Sequence, residues 1–380
     1  MTTQLFIPHF RVDECLEQIR ECLIKGWTGL GFKTVEFEKA WCDYTGLPHS
    51  HFLSSNTVGL HLALHQFKTG GGWADGDEVI TTALTFVSTN HAILYCNLKP
   101  VFADVDGSLC LDPEDIESKI GPKTRAVIYV GIGGNTGHYE RVVELCQRRG
   151  LKLILDAAHM AGTRLHGRHV GAEADVTVFS FQAVKNLPTA DSGMICFRDP
   201  ADDARARKLS WLGINKDTYA RTSSQGAYKW MYDVEELGFK YHGNSIMAAI
   251  GLVQLKYLDQ DNAYRRQLAA WYQGFLAGKP GVGLIDIAPG CESSRHLFQV
   301  RVQHREELML ALNANGIYPG VHYRDNTEYG LYADGRGNCP KANAASQEIL
   351  SLPMHMTLTH AEVAKISELV ASHAQSKVSG

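Results

Sequence analysis

Between about residues 50 and 200 the chain alternates short apolar runs with amphipathic stretches. The runs are DEVITTAL, KPVFADV, RAVIYVGI, LKLILDA, ADVTVFSF and GMICF, rich in Val and Ile, with segments such as HYERVVELCQRRG between them. Runs this short and this apolar predict a mostly parallel sheet covered by helices, an α/β fold. In such sheets ligands collect beyond the carboxyl ends of the strands, so the residues just after each run matter most. From MAAIGLVQLKYLDQ onward the period changes: Ala248, Leu252, Leu255 and Leu258 repeat at helical spacing and predict a long amphipathic helix. KPGVG breaks it, HLFQVRV reads as a strand, and REELMLALNANG as a helix closed by glycine. The expected organisation is a large domain over 1–250 and a smaller α+β domain over 251–380, joined by the long helix.

Composition narrows the class. The 380 residues exceed one ordinary core, and 44% hydrophobic with 21% charged residues describes a soluble globular chain. A formal net charge of -4 gives no support for nucleic acid or an anionic membrane as main partner. The 9 cysteines are scattered and form no CxxC pair, which argues against a disulfide framework and a thiolate metal site. No stretch reaches the ~18 consecutive apolar residues of a membrane span, and MTTQLFIPHFRVDE lacks a basic segment followed by an apolar core. A reduced, cytoplasmic protein acting on small metabolites is expected.

Four features then carry candidate chemistry. LKLILDAAH ends in Asp156, a carboxylate at a strand exit, with His159 one turn on; a helix N-cap is the plain alternative for the aspartate. VTVFSF ends in Ser180, followed by Gln182 and Lys185. A lysine just past a buried strand can lose its proton and form a Schiff base with a carbonyl, although most lysines are simply solvated. SSNTVGLHLALHQF places Asn56 and Thr57 at a helix start, where unpaired N–H groups and the positive end of the dipole suit a phosphate. ALTFVSTNHAI places Phe86 after a strand, where its ring could cover a planar ligand or pack in the core. His61 and His65 share a helix face without a third ligand, and VGIGGNTGHY departs from GxGxxG at Thr136, so metal and NAD are set aside. A phosphate site, a ring cover, a carboxylate for a ring nitrogen and a lysine for an aldehyde together describe pyridoxal 5'-phosphate.

The order SSNTVGLHLAL, GDEVITTALTFVSTNHAI, PVFADVD, LDAAHMAG, FSFQAVKNLPTADSG and ELGFKYHGNSIMAAIGLVQL resembles the DegT/DnrJ/EryC1/StrS sugar aminotransferases, over nearly the whole chain. The resemblance implies a fold type I pyridoxal-phosphate enzyme, a homodimer with each active site built from two subunits. It implies a nucleotide-linked keto sugar as substrate and glutamate as amino donor. By motif position Lys185 is the Schiff-base lysine, Asp156 the partner of the pyridine nitrogen, and His159 the partner of the ring hydroxyl. Phe86 stacks on the ring, while Ser180 and the backbone at Asn56 and Thr57 hold the phosphate. Where relatives carry a GYNYR stretch this chain has GFKYH, so Lys240 would meet the neighbouring subunit's phosphate, or a substrate phosphate, as a point charge. Gln182, Thr28 in TGLGF, His322 and Tyr323, and the stretch GAYKWMYDVEE are expected to face the substrate. The alternatives are a noncatalytic pyridoxal-phosphate sensor and a sugar dehydratase, the latter opposed by Lys185 because those relatives carry histidine there.

Overall fold

The computed structural model describes residues 2–215 and 232–378. Seven strands form the main sheet, in the spatial order His49–Leu53, Gly193–Phe197, Val176–Ser180, Lys152–Asp156, Thr124–Val130, Glu78–Thr82 and Lys99–Ala103. The last five of these pair in parallel, and Gly193–Phe197 runs antiparallel to both of its neighbours. Every apolar run of the sequence pattern is a strand of this sheet. Val176–Ser180 and Gly193–Phe197 are buried along their whole length, as strands covered on both faces must be. One core cluster, with Phe37, Trp41, Phe179 and Phe181, fills one face. The other cluster, with Leu60, Leu62, Ile128 and Ile195, fills the opposite face.

The edge strand His49–Leu53 was not foreseen. Its sequence, HSHFL, looks half polar, yet His51 is buried because Nδ1 meets Glu38 at 2.9 Å and Nε2 meets Ser210 at 2.7 Å. Internal pairing replaces the hydrophobic signal that would have marked the strand.

The long helix runs Ser245–Leu276, capped by Asn244, whose side chain accepts from the Met247 N–H, and it crosses residue 250. Its first turns pack against the helices Val12–Lys25 and Phe32–Thr45. Its later residues Leu268 and Tyr272 join a third core beneath the small antiparallel sheet Val282–Leu284, Phe298–Val302, Ile349–Leu352.

Two glycines set the approach of the helix Asn56–Gly71 to the sheet. A Cβ on Gly59 would lie 2.5 Å from Val178 Cγ1, and one on Gly193 2.7 Å from the Asn56 nitrogen. Side chains at either position would lift the start of this helix off the strands. That helix start is thereby held at the carboxyl end of Val176–Ser180, where the pattern placed a ligand.

Candidate active site

A pocket of about 470 Å³ opens at the carboxyl ends of the parallel strands. It brings together Asn56, Thr57, Phe86, Asp156, His159, Ser180, Gln182, Lys185, His322 and Tyr323. Thr28 and Lys240 do not line it. The Thr28 carbonyl accepts from Ser245 at the foot of the long helix, and the Lys240 amine lies 3.2 Å from the Trp211 ring centre. Of GAYKWMYDVEE, residues 226–231 lie outside the described residues.

Asp156 ends the strand Lys152–Asp156 and is 3% exposed. A buried carboxylate needs donors, and it has three: Thr89 Oγ1 at 2.8 Å, the Ala158 N–H at 3.2 Å and Asn56 Nδ2 at 3.3 Å. Burial still raises its pKa, against those hydrogen bonds and the charge of Lys185. Asn56 also donates to the Val178 carbonyl at 3.0 Å, so its side chain turns inward while its backbone opens the helix. Ser55 caps the same helix by accepting from Val58 at 3.3 Å, and the first N–H groups point out of the helix start.

Lys185 sits on the loop between two sheet neighbours, Val176–Ser180 and Gly193–Phe197. The loop is a tight hairpin: Thr189 N–H donates to the Phe181 carbonyl at 2.8 Å, and Ala183 to Ala190 at 3.1 Å. Burial lowers the Lys185 pKa to about 8, and Asp156 opposes that shift. The amine is therefore within reach of its uncharged, nucleophilic form near neutral pH.

On the far wall three imidazoles stay neutral. His159 is 5% exposed, and burial, with the Lys185 charge second, pushes its pKa well below the ordinary value. The Gly133 N–H donates to its Nδ1 at 3.1 Å, which puts the ring proton on Nε2. Nε2 lies 3.1 Å from the Tyr323 hydroxyl, so His159 donates and Tyr323 accepts there. His296 packs on His159 with ring centres 4.3 Å apart, and its Nδ1 meets Asn186 Oδ1 at 3.0 Å. Burial pushes His322 down to about 4. Phe86, 58% exposed, covers the mouth and tilts against Tyr323 at 6.1 Å.

Phe6, Thr89, Asp191 and His296 also line the pocket and were not foreseen. Thr89 follows Phe86 by three residues, a helical turn, which was the available signal. Phe6 and His296 arrive from remote parts of the chain and left none.

The donor set fits a phosphorylated pyridine aldehyde on the chain's own geometry. A buried carboxylate, an amine of lowered pKa, an N–H-bearing helix start and an exposed ring border one cavity. A model of the DegT/DnrJ/EryC1/StrS aminotransferase family matches residues 11–371. Among solved structures, the aminotransferase TlmJ from Streptoalloteichus hindustanus aligns with a TM-score of 0.90 at 31% identity over 100% of both chains. AtS13 from Actinomadura melliaura aligns at 0.89 and 32% identity over 98% of each chain. The Streptococcus pneumoniae protein Spr1654, in its PLP-form, aligns at 0.89 and 26% identity over 99% of each.

Proposed function

The chain belongs to the DegT/DnrJ/EryC1/StrS aminotransferase family, and from that premise we propose that it moves an amino group from glutamate to a nucleotide-linked keto sugar, using pyridoxal 5'-phosphate. The observation that carries this reading is the placement of Asp156 and Lys185 in one pocket beside the start of the helix Asn56–Gly71. When bound, the cofactor supplies an electron sink that lets a carbon beside nitrogen lose and regain a proton.

The chain's own residues do the rest. Lys185 Nζ, uncharged once its proton leaves, would hold the cofactor through its aldehyde with loss of water, and as a free amine would serve as the base and acid that moves a proton. Asp156, its carboxylate held by three donors, would pair with the ring nitrogen and favour a proton there. His159, whose Nε2 proton is set by Gly133 and meets the Tyr323 hydroxyl, would share that donor with the ring hydroxyl of a bound cofactor. Ser180 and the N–H groups at Asn56 and Thr57 would take the phosphate, and Phe86 would cover the ring. Gln182, His322 and Tyr323 border the space left for the sugar, with Thr28 and the cationic Lys240 reaching the site of a second copy. The bound protein works as a homodimer in the cytoplasm.

The test is spectroscopic and chemical together. Purified with the cofactor, the protein is expected to be yellow, to bleach with glutamate, and to recover colour when a nucleotide-linked keto sugar is added, with amino sugar as product. A yellow protein unmoved by glutamate and by other amino donors would sink the transaminase reading and favour a sensor.

A further inference from the structure

The pocket holds two aspartates with opposite situations. Asp156 is buried and takes three donors. Asp191 also lines the cavity, but no hydrogen bond or ion pair reaches its carboxylate from any described residue. It is an exposed residue on the pocket wall. Burial by the surrounding walls alone raises its pKa, with no compensating donor. A carboxylate that is partly stripped of water and given no protein donor is suited to donors that come with a ligand.

Its position is fixed by the backbone. Asp191 lies between Ala190, which accepts from Ala183 at 3.1 Å, and Ser192, whose carbonyl accepts from Phe181 at 2.8 Å and whose hydroxyl meets Thr189 at 2.7 Å. Gly193 follows and is pressed against the start of the helix Asn56–Gly71. The carboxylate is therefore held by the same hairpin that carries Lys185. The carboxylate whose charge acts on Lys185 is Asp156.

Charge decides which part of which substrate it meets. A donor such as glutamate brings carboxylates, which Asp191 repels, and a diphosphate is repelled more strongly. A neutral sugar ring brings hydroxyl donors, and one carboxylate can accept from two neighbouring hydroxyls at once.

We propose that Asp191 is the point at which the pocket recognises hydroxyl groups on the sugar ring of the amino acceptor, holding the ring so that its keto carbon faces Lys185. The assignment rests on the transaminase reading above. It makes Asp191 a specificity residue for the second half-reaction and gives it no part in the first. It also places a nucleotide diphosphate outside this part of the pocket.

The experiment separates the two halves in the cofactor-loaded protein. Wild type, Asp191→Asn, Asp191→Ala and Asp191→Glu are first bleached with glutamate, then mixed with keto sugars linked to a nucleoside diphosphate, the keto group at carbon 3 or 4. Calorimetry of the same sugars with the bleached proteins gives binding directly. For Asp191→Ala the expected result is a loss of about tenfold or more in acceptor affinity and acceptor kcat/KM, the size of a charged hydrogen bond. Asp191→Asn should lose less, Asp191→Glu should recover part, and the bleaching rate with glutamate should not fall in Asp191→Ala or Asp191→Asn, which lose only a repulsion of the donor. An equal fall in both half-reactions, no fall in either, or a halved molecular mass in Asp191→Ala would overturn the proposal. Wild type that bleaches with neither glutamate nor any other amino donor would refute the transaminase reading itself, and is seen before any variant is compared.

Discussion

Burial lowers the Lys185 pKa from the ordinary 10.5 to about 8, although Asp156 pulls the other way. Two pH dependences follow from that one shift. The protonated amine cannot attack an aldehyde, so cofactor loading of the empty protein should rise about tenfold per pH unit up to about pH 8, then level off. Stopped-flow absorbance checks it; a rate still climbing at pH 10 would contradict it. Stability runs the same way. A lysine whose folded pKa is depressed penalises the folded state fully below pH 8, progressively less between 8 and 10.5, and not above. Cofactor-free Lys185→Met should therefore be more stable than wild type at pH 7, by up to roughly 3 kcal/mol, with the gap closing near pH 10.5 in urea titrations. Asp156→Asn should still load cofactor but transfer the amino group about 100-fold more slowly or worse in single turnovers with glutamate. These residues were legible because each follows an apolar run at a strand end. Asp191 was not, because its meaning lies in the donors it lacks, and the inward turn of the Asn56 side chain appears only once Val178 is its neighbour.

At the scale of elements, the loop Phe181–Ser192 and the start of the helix Asn56–Gly71 form one unit, and Gly193 is where they meet. A Cβ there would stand 2.7 Å from the Asn56 nitrogen and the Ser55 carbonyl carbon, and 2.8 Å from the Phe179 oxygen. All three are backbone atoms that cannot swing aside. Gly193→Ala should cost about 1–3 kcal/mol and weaken cofactor binding, read by thermal melts with and without pyridoxal 5'-phosphate. A variant with unchanged melting and unchanged affinity would show that the helix start tolerates displacement. The strands of the main sheet were legible as apolar runs, whereas HSHFL hid behind the pairing of buried His51 with Glu38 and Ser210. The antiparallel course of Gly193–Phe197 was equally hidden, since no residue type encodes strand direction.

At the scale of the molecule, the site described within one chain has Lys185 as the cation lining its pocket among the described residues, while Lys240 lies outside it. A second copy that supplies Lys240 would complete the phosphate site. Sedimentation should then give twice the 42.0 kDa of the chain. Mixing Lys185→Ala with Lys240→Ala should restore about a quarter of wild-type turnover, since half the dimers are mixed and each mixed dimer keeps one intact site. Wild-type turnover in Lys240→Ala alone would place Lys240 outside the chemistry, and no restoration from two inactive parents would show that it is not supplied by the second copy. The expectation of a homodimer came only through the resemblance to the family, because no periodicity in the chain encodes a partner. The central claim is that Lys185 is the residue that bears the cofactor, and borohydride reduction of the yellow protein followed by peptide mass spectrometry tests it most directly. A pyridoxyl adduct on the peptide FSFQAVKNLPTADSG, at Lys185, is the predicted result; an adduct on another lysine, or none, would contradict the account.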